Sequence, residues 1–429
     1  MRAAGGGCQA AAQLGEGSTE VTLREEYAGL RAKGLKLDLT RGKPSPEQLN
    51  LSNRMLELPG EGDYLAADGS DTRNYGGATG LPELAALFAP LLGIPQGQLL
   101  PLGNASLQIM HDVIANALLS PVPGAARRWV DEDEVVFLCP VPGYDRHFGV
   151  CERFGIKMLP VALTGEGPDM DEVEALVAAD ARIKGIWCVP AYSNPSGETY
   201  SAETVRRLAA MTTAAPDFRI FWDNAYAIHD LTEERAELAN ILEACAQAGN
   251  PDRVFVFAST SKITLAGAGV AFFGSSAANV AWLKGLMAKQ TIGPDKVNQL
   301  RHVRFFGDTE GVLAHMAKHR ALLAPRFETV EHVLERELGG RGIARWSRPA
   351  GGYFVSLEVP DGCAAEVVRL AKEAGVALTP AGAAFPYGHD PRDHHIRIAP
   401  SYPSLTELRE AMEAVALCVR LAAEEAKSR

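Results

Sequence analysis

Arg253-Val254-Phe255-Val256-Phe257-Ala258-Ser259-Thr260-Ser261-Lys262 is an apolar, β-branched and aromatic run that ends in hydroxyls and a lysine. Two upstream segments have the same form. The apolar stretch 218–222 runs into Asp223-Asn224-Ala225-Tyr226, and 183–189 is followed by Ser193-Asn194-Pro195-Ser196-Gly197. Each reads as a short strand that stops in polar chemistry. A lysine, an aspartate, a tyrosine and an asparagine thus arrive at the carboxyl ends of strands, the edge of an open α/β sheet where ligands bind.

Outward from these segments, strand patterns at 134–138, 156–161 and 268–273 join the three above, with helical patterns at 145–154, 170–179, 202–214 and 236–247. Strands alternating with helices predict a mainly parallel central sheet flanked by helices. Pro82 to Leu92 reads as a helix with its proline in the first turn. Gly103-Asn104-Ala105-Ser106 precedes a helix over 107–119, so free backbone N–H groups face one spot, an anion site. Further helices are expected at 277–290, 295–305 and 311–339, the last broken or kinked at Pro325. Beyond it, strands at 344–346, 352–357, 376–379 and 395–398 with helices at 363–374 and 404–425 make a smaller α+β lobe. Near the start, a helix over 19–36 leads to the rigid turn Arg41-Gly42-Lys43-Pro44-Ser45-Pro46. The expected partition is a disordered leader (1–18), an N-terminal segment joining the small domain (19–60), a large domain (61–310) and a C-terminal small domain (311–429).

A chain of 429 residues exceeds what one core usually holds, in keeping with that partition. The net charge of −11 argues against non-specific nucleic-acid binding and suits a soluble cytoplasmic protein. No apolar run approaches the ~20 residues that span a bilayer. The seven cysteines are scattered with no CxxC, which predicts neither a disulfide framework nor a zinc site.

These residues meet the needs of pyridoxal phosphate. Its aldehyde requires a lysine, its ring nitrogen an anion that keeps it protonated, its phosphate N–H groups and hydroxyls, and its ring a flat or apolar face. Lys262 is the expected Schiff-base lysine and proton-transfer base. Asp223 is the expected partner of the ring nitrogen; a helix N-cap is the plain alternative. Tyr226 and Asn194 are placed to reach the ring oxygen. Asn104, Ala105 and Ser106 with Ser259 and Ser261 form the expected phosphate cup. Tyr144, in Pro140-Val141-Pro142-Gly143-Tyr144, is a candidate to stack on the ring, with core burial as the alternative. Arg397, between Ile396 and Ile398, calls for an anionic partner: a substrate carboxylate or an internal salt bridge.

Taken in order, Tyr75-Gly76, Gly103-Asn104-Ala105-Ser106, Asn194-Pro195-Ser196-Gly197, Asp223-x-x-Tyr226, Ser259-x-Ser261-Lys262 and Arg397 resemble the fold-type I, class I pyridoxal-phosphate aminotransferases. The spacings, 29 residues from Asn194 to Asp223 and 39 from Asp223 to Lys262, make the match specific, and it extends from about Val21 to the end. Thr40-Arg41-Gly42-Lys43-Pro44-Ser45, Pro142-Gly143-Tyr144 and Ser261-Lys262-Ile263-Thr264 are similar to the MocR-like branch, which includes an atypical bacterial aspartate aminotransferase subgroup. The resemblance implies a homodimer with shared sites, Tyr75 crossing to the partner's phosphate, Gly42 offering an N–H to the substrate carboxylate, and a cis Asn194–Pro195 bond. One position departs. Many class I members bind the phosphate with an arginine eight residues after the lysine, and here that residue is Val270.

The expected reaction is transamination between an L-amino acid, foremost aspartate, and 2-oxoglutarate. A dicarboxylate needs a second cation, for which Arg41 and Lys43 are the first candidates, then Arg304 and Arg146. Alternatives are a transaminase for aromatic, branched or alanine-type donors, and a β-lyase or decarboxylase on the same scaffold. A third is a ligand-sensing regulator, disfavoured by the acidic charge and the short stretch before Val21, too short for a DNA-binding domain.

Overall fold

The computed structural model describes residues 22–428, so the expected leader at 1–18 lies outside the described residues. In chain order the first elements are α1 (Leu23–Ala32), β1 (Leu37–Asp38), α2 (Pro46–Asn50), α3 (Pro82–Leu92), β2 (Leu99–Pro101) and α4 (Ser106–Leu119). The alternating stretch follows: β3 (Val136–Val141), α5 (Asp145–Phe154), β4 (Lys157–Ala162), α6 (Met170–Ala179), β5 (Ile183–Cys188), α7 (Ala202–Ala210), β6 (Arg219–Asp223), α8 (Ile241–Gln247), β7 (Val254–Ser259) and β8 (Ala271–Gly274). The remainder is α9 (Ala277–Met287), α10 (Lys296–Phe306), α11 (Thr309–Leu338), β9 (Arg345–Trp346), β10 (Val355–Glu358), α12 (Ala364–Glu373), β11 (Val376–Ala377), β12 (His395–Ile398) and α13 (Leu405–Lys427).

The fold is α/β, with a seven-stranded sheet in the order β2-β8-β7-β6-β5-β3-β4. The pairs from β4 through β7 are parallel, and β8 runs antiparallel to both β7 and β2. The reversal has a simple cause. Residues 260–270 are too few for a helical crossover, which needs a dozen or more, so the chain turns back directly. That short return is the segment that carries Lys262. β5 and β6 are buried throughout because helices cover both faces, which is why they read as unbroken apolar runs rather than alternating ones. Separate apolar clusters fill the two faces.

A further core joins the two ends of the chain. Tyr27, Leu30 and Leu39 pack with residues of β10, α12 and α13, and β1 pairs in parallel with β11. A three-stranded sheet, β12-β10-β9, lies in the same region.

Several boundaries differ from the sequence reading. α11 runs unbroken through Pro325. The carbonyl deprived of its N–H partner belongs to Ala321, which is exposed, so water can serve it. α7 stops at Ala210 rather than 214, where Arg253 Nη1 takes up the Ala209 and Met211 carbonyls at 2.9 and 2.7 Å. α8 begins at Ile241 because Asn240 caps it, accepting from the Leu242 and Glu243 N–H groups. β2, a three-residue edge strand, has no counterpart among the expected strands; Pro101 hid it.

Candidate functional site

The order of the sheet reverses at β3: β4 lies to one side and β5 to the other. Such a switch point leaves a crevice at the carboxyl ends of the strands. A cleft of about 580 Å³ lies there, lined by Tyr144 beyond β3, Asn194 beyond β5, Asp223 and Tyr226 at the end of β6, and Ser259, Ser261 and Lys262 beyond β7. Ala105 and Ser106 at the start of α4, the turn Thr40–Lys43, Arg146, Phe354 and Arg397 complete it. Most of the residues singled out in the sequence are therefore brought together. Asn104 is exposed and is not among the lining residues. Tyr75 is 84% exposed and lines a different groove, between Thr72–Gly76 and Thr291–Val297. Arg304 is committed elsewhere, in a fork with Asp63 at 2.8–3.0 Å, so it is withdrawn as a cleft cation.

Asp223 is buried, and it caps no helix. His147 Nε2 donates to its Oδ2 at 2.9 Å, while Oδ1 has no partner. A buried carboxylate oxygen without a partner is costly unless something else donates to it. His147 is itself fixed, stacked on Trp187 with ring centroids 4.2 Å apart and planes at 7°. It was not singled out in the sequence. The available signal was its spacing: on α5 it stands one turn after Tyr144, so both rings come to the same face.

Lys262 is half-buried. Its Nζ lies 5.0 Å from the Tyr226 ring centroid and makes no ion pair among the described residues. Burial lowers the pKa of its amine, and the nearby Asp223 charge opposes that shift. The net shift is toward the neutral amine, the nucleophilic form. Burial pushes Tyr144 up to about 12, helped by the Asp223 and Asp145 charges, and raises Tyr226 strongly. Both phenols thus stay protonated as donors at neutral pH. Asn194 Oδ1 is a second buried acceptor without a partner, and the Asn194–Pro195 bond is cis.

Arg397 has an internal ion pair, Nη1 to Asp145 Oδ1 at 3.1 Å. Its Nη2 makes only long contacts, 3.3 Å to Thr379 Oγ1 and 3.5 Å to the Thr40 carbonyl, and its Nε has no partner. Much of its donor fork is unspent. Gly42 faces it across Phe354, where a Cβ at Gly42 would lie 2.4 Å from the ring carbon Cζ, so only glycine lets the turn approach. Val270 is buried in the core and gives its N–H to Thr260 Oγ1 at 2.8 Å. The lining cations are Arg41, Lys43, Arg146, Lys262 and Arg397.

The donor set fits pyridoxal phosphate. Asp223 Oδ1 is an unpaired acceptor for a ring N–H, Lys262 an amine whose pKa is lowered by desolvation, and Ser106, Ser259 and Ser261 are hydroxyls beside a helix start.

A sequence model of the aspartate amino-transferase family matches residues 12–429. An aspartate aminotransferase of Corynebacterium glutamicum is 51% identical, over 94% of this chain and 93% of its own. A Mycolicibacterium smegmatis relative, whose name goes no further than aminotransferase, is 58% identical over 94% of this chain and 95% of its own. The crystal structure of an aspartate transaminase from C. glutamicum superposes with a TM-score of 0.93, at 51% identity and covering 94% of this chain and 95% of that one. The chain belongs to the aspartate amino-transferase family and is a fold-type I, pyridoxal-phosphate-dependent aminotransferase. Among the described residues, no helix is long and apolar enough to cross a membrane.

Proposed function

We propose that this aminotransferase takes aspartate as amino donor and 2-oxoglutarate as acceptor, in alternating half-reactions at the cleft beside Lys262. The observation that carries the reading is the surplus of cations on the substrate side. Arg397 suffices for the α-carboxylate shared by all amino acids. Arg41 and Arg146 line the same cleft with no ion-pair partner among the described residues, and Lys43 sits 3.8 Å over the Tyr402 ring. Unpaired cations in one cleft suit a substrate with a second carboxylate. Arg146 is the preferred ligand for it, because it follows Asp145, the residue paired with Arg397. The name of the C. glutamicum relative supports the same donor.

When bound, pyridoxal phosphate supplies an electron sink for the carbanion formed at the substrate Cα. Asp223 would hold the proton on the ring nitrogen, oriented for it by His147. Lys262 would take the proton from the substrate Cα and return it. Tyr226 and Asn194 donate to the ring oxygen, and Tyr144 covers the ring. Gly42 gives its N–H to the α-carboxylate. Ala105, Ser106, Ser259 and Ser261 take the phosphate, with the start of α4 supplying positive potential in place of an arginine at Val270.

The same reading makes the enzyme a cytoplasmic homodimer of the MocR-like branch. It has a large lobe over 61–310 and a small lobe over 19–60 and 311–429. The separate core shared by the two chain ends supports that division. The exposure of Tyr75, away from its own cleft, supports its reaching a partner.

A panel of donors tested against 2-oxoglutarate decides the substrate. Aspartate should exceed alanine, leucine, phenylalanine and 2-aminoadipate in kcat/KM; a preferred monocarboxylic donor would overturn the assignment. Arg146→Ala should lower kcat/KM for aspartate about 100-fold and leave alanine within a few-fold. Arg397→Ala should weaken every donor, by on the order of 100-fold or more, because all share the α-carboxylate. Loss confined to dicarboxylates would mean that the two arginines have exchanged roles.

A further inference from the structure

Lys262 lies in a turn, not a helix, so the carbonyls of Lys262 and Ile263 have no helical N–H to receive. Side chains from distant parts of the chain meet them instead. Tyr353 donates its hydroxyl to the Lys262 carbonyl at 3.4 Å, and His315 Nε2 donates to the Ile263 carbonyl at 2.7 Å. Behind them stands Gln48, whose Nε2 donates to the Tyr353 hydroxyl at 2.8 Å and to His319 Nδ1 at 3.0 Å. His319 Nε2 is 3.1 Å from His315 Nε2, and Ser52 Oγ approaches the same nitrogen at 3.4 Å. Gln48, Ser52, Tyr353, His315 and His319 are all buried.

The direction of these bonds is determined. Gln48 Oε1 accepts from the Ser45 N–H at 3.1 Å in the capping box of α2, so its amide nitrogen must face the histidine and the tyrosine. His319 Nδ1 is therefore an acceptor, and its proton sits on Nε2. His315 spends its Nε2–H on the Ile263 carbonyl, and the 3.1 Å approach of His319 Nε2 to His315 Nε2 is then a packing contact between two N–H groups, so His319 acts by anchoring the Gln48 amide. Burial holds both rings neutral, with His319 pushed down to about 4, so the arrangement does not titrate near neutrality.

We propose that Gln48, Tyr353, His315 and His319 are positioning residues: a buried hydrogen-bonded network that holds the peptide of Lys262 and ties it to the substrate-side turn at Arg41–Lys43. The tie is short in sequence, since Gln48 stands on α2, directly after Arg41-Gly42-Lys43-Pro44-Ser45. A network of buried polar groups has one low-energy arrangement, unlike an apolar filling, and so fixes the amine relative to the turn. The inference rests on Lys262 being the cofactor lysine, and the test separates the two.

Tyr353→Phe removes one hydroxyl and keeps the ring that stacks 6.1 Å from Tyr226. With pyridoxal phosphate bound, it should shift the pH midpoint of the lysine-bound cofactor's visible absorbance. It should also lower kcat about tenfold with KM for aspartate within about twofold, as expected for a mispositioned base rather than lost binding. His315→Leu should behave alike, and His315→Gln, whose amide can replace the Nε2 donor, should recover most of the loss. An unchanged absorbance midpoint and kcat in Tyr353→Phe overturn the inference, whatever the folding of His315→Leu. Lys262→Ala is the control. If it retains the lysine-type absorbance, the assignment of Lys262 fails, and the network loses its purpose for a different reason.

Discussion

Lys262→Ala should fold, show no lysine-bound cofactor absorbance after incubation with pyridoxal phosphate, and lose turnover by about 10⁴-fold or more. Lys262 is half-buried, forms no ion pair among the described residues, and has its pKa lowered by desolvation of its amine. The shift is toward the unprotonated amine, the form able to attack an aldehyde. No other lysine can take its place: Lys43, the remaining lysine of the cleft, lies with the substrate turn and over Tyr402. Because the amine satisfies no partner, its removal strands no other group, and the cofactor-free protein should keep its melting temperature within about 3 °C. Absorbance spectra, single-turnover kinetics and thermal melts measure the outcomes separately. A variant that keeps both colour and turnover would remove Lys262 from the chemistry.

Asp223→Ala should lower kcat/KM by about 10³-fold or more, and Asp223→Asn nearly as much, while weak cofactor binding persists. The two substitutions test different things. Alanine strands the Nε2–H of His147 in a buried place, so part of its effect is structural. Asparagine can still accept from His147 but brings no charge to hold a proton on the ring nitrogen. If charge at that atom is what Asp223 contributes, asparagine must fail too. An asparagine variant of near-normal activity, measured by steady-state transamination, would reduce Asp223 to a packing residue.

Much of the architecture was legible from local rules. α6 matches its expected span, 170–179, because an apolar period of a helix follows a capping Asp169. α5 matches at 145–154, closed by Gly155 at φ 67°. The strands of the sheet declared themselves as apolar runs ending in polar residues. Their ends could be read as one ligand edge because parallel strands point the same way. What misled was tertiary compensation. At Pro325 a break or a kink is expected, and α11 does not break, because the carbonyl that the proline orphans is on an exposed residue. Asn104 reads as part of a cup, yet only Ala105 and Ser106 of that turn line the cleft.

Local pattern was enough for the class of fold, the lysine at the end of β7, the aspartate at the end of β6 and the arginine on β12. Each is decided by its immediate neighbours: period, caps and strand ends. The groups that stand behind them come from packing alone. His147 meets Asp223 across 76 residues, Gln48 meets Tyr353 across 305, and Asp145 meets Arg397 across 252. Contacts at such separations depend on how sheet and helices pack, and no local pattern encodes them. The same physics answers for Val270, which stands where many class I members have an arginine: the turn back from β7 to β8 places it in the core.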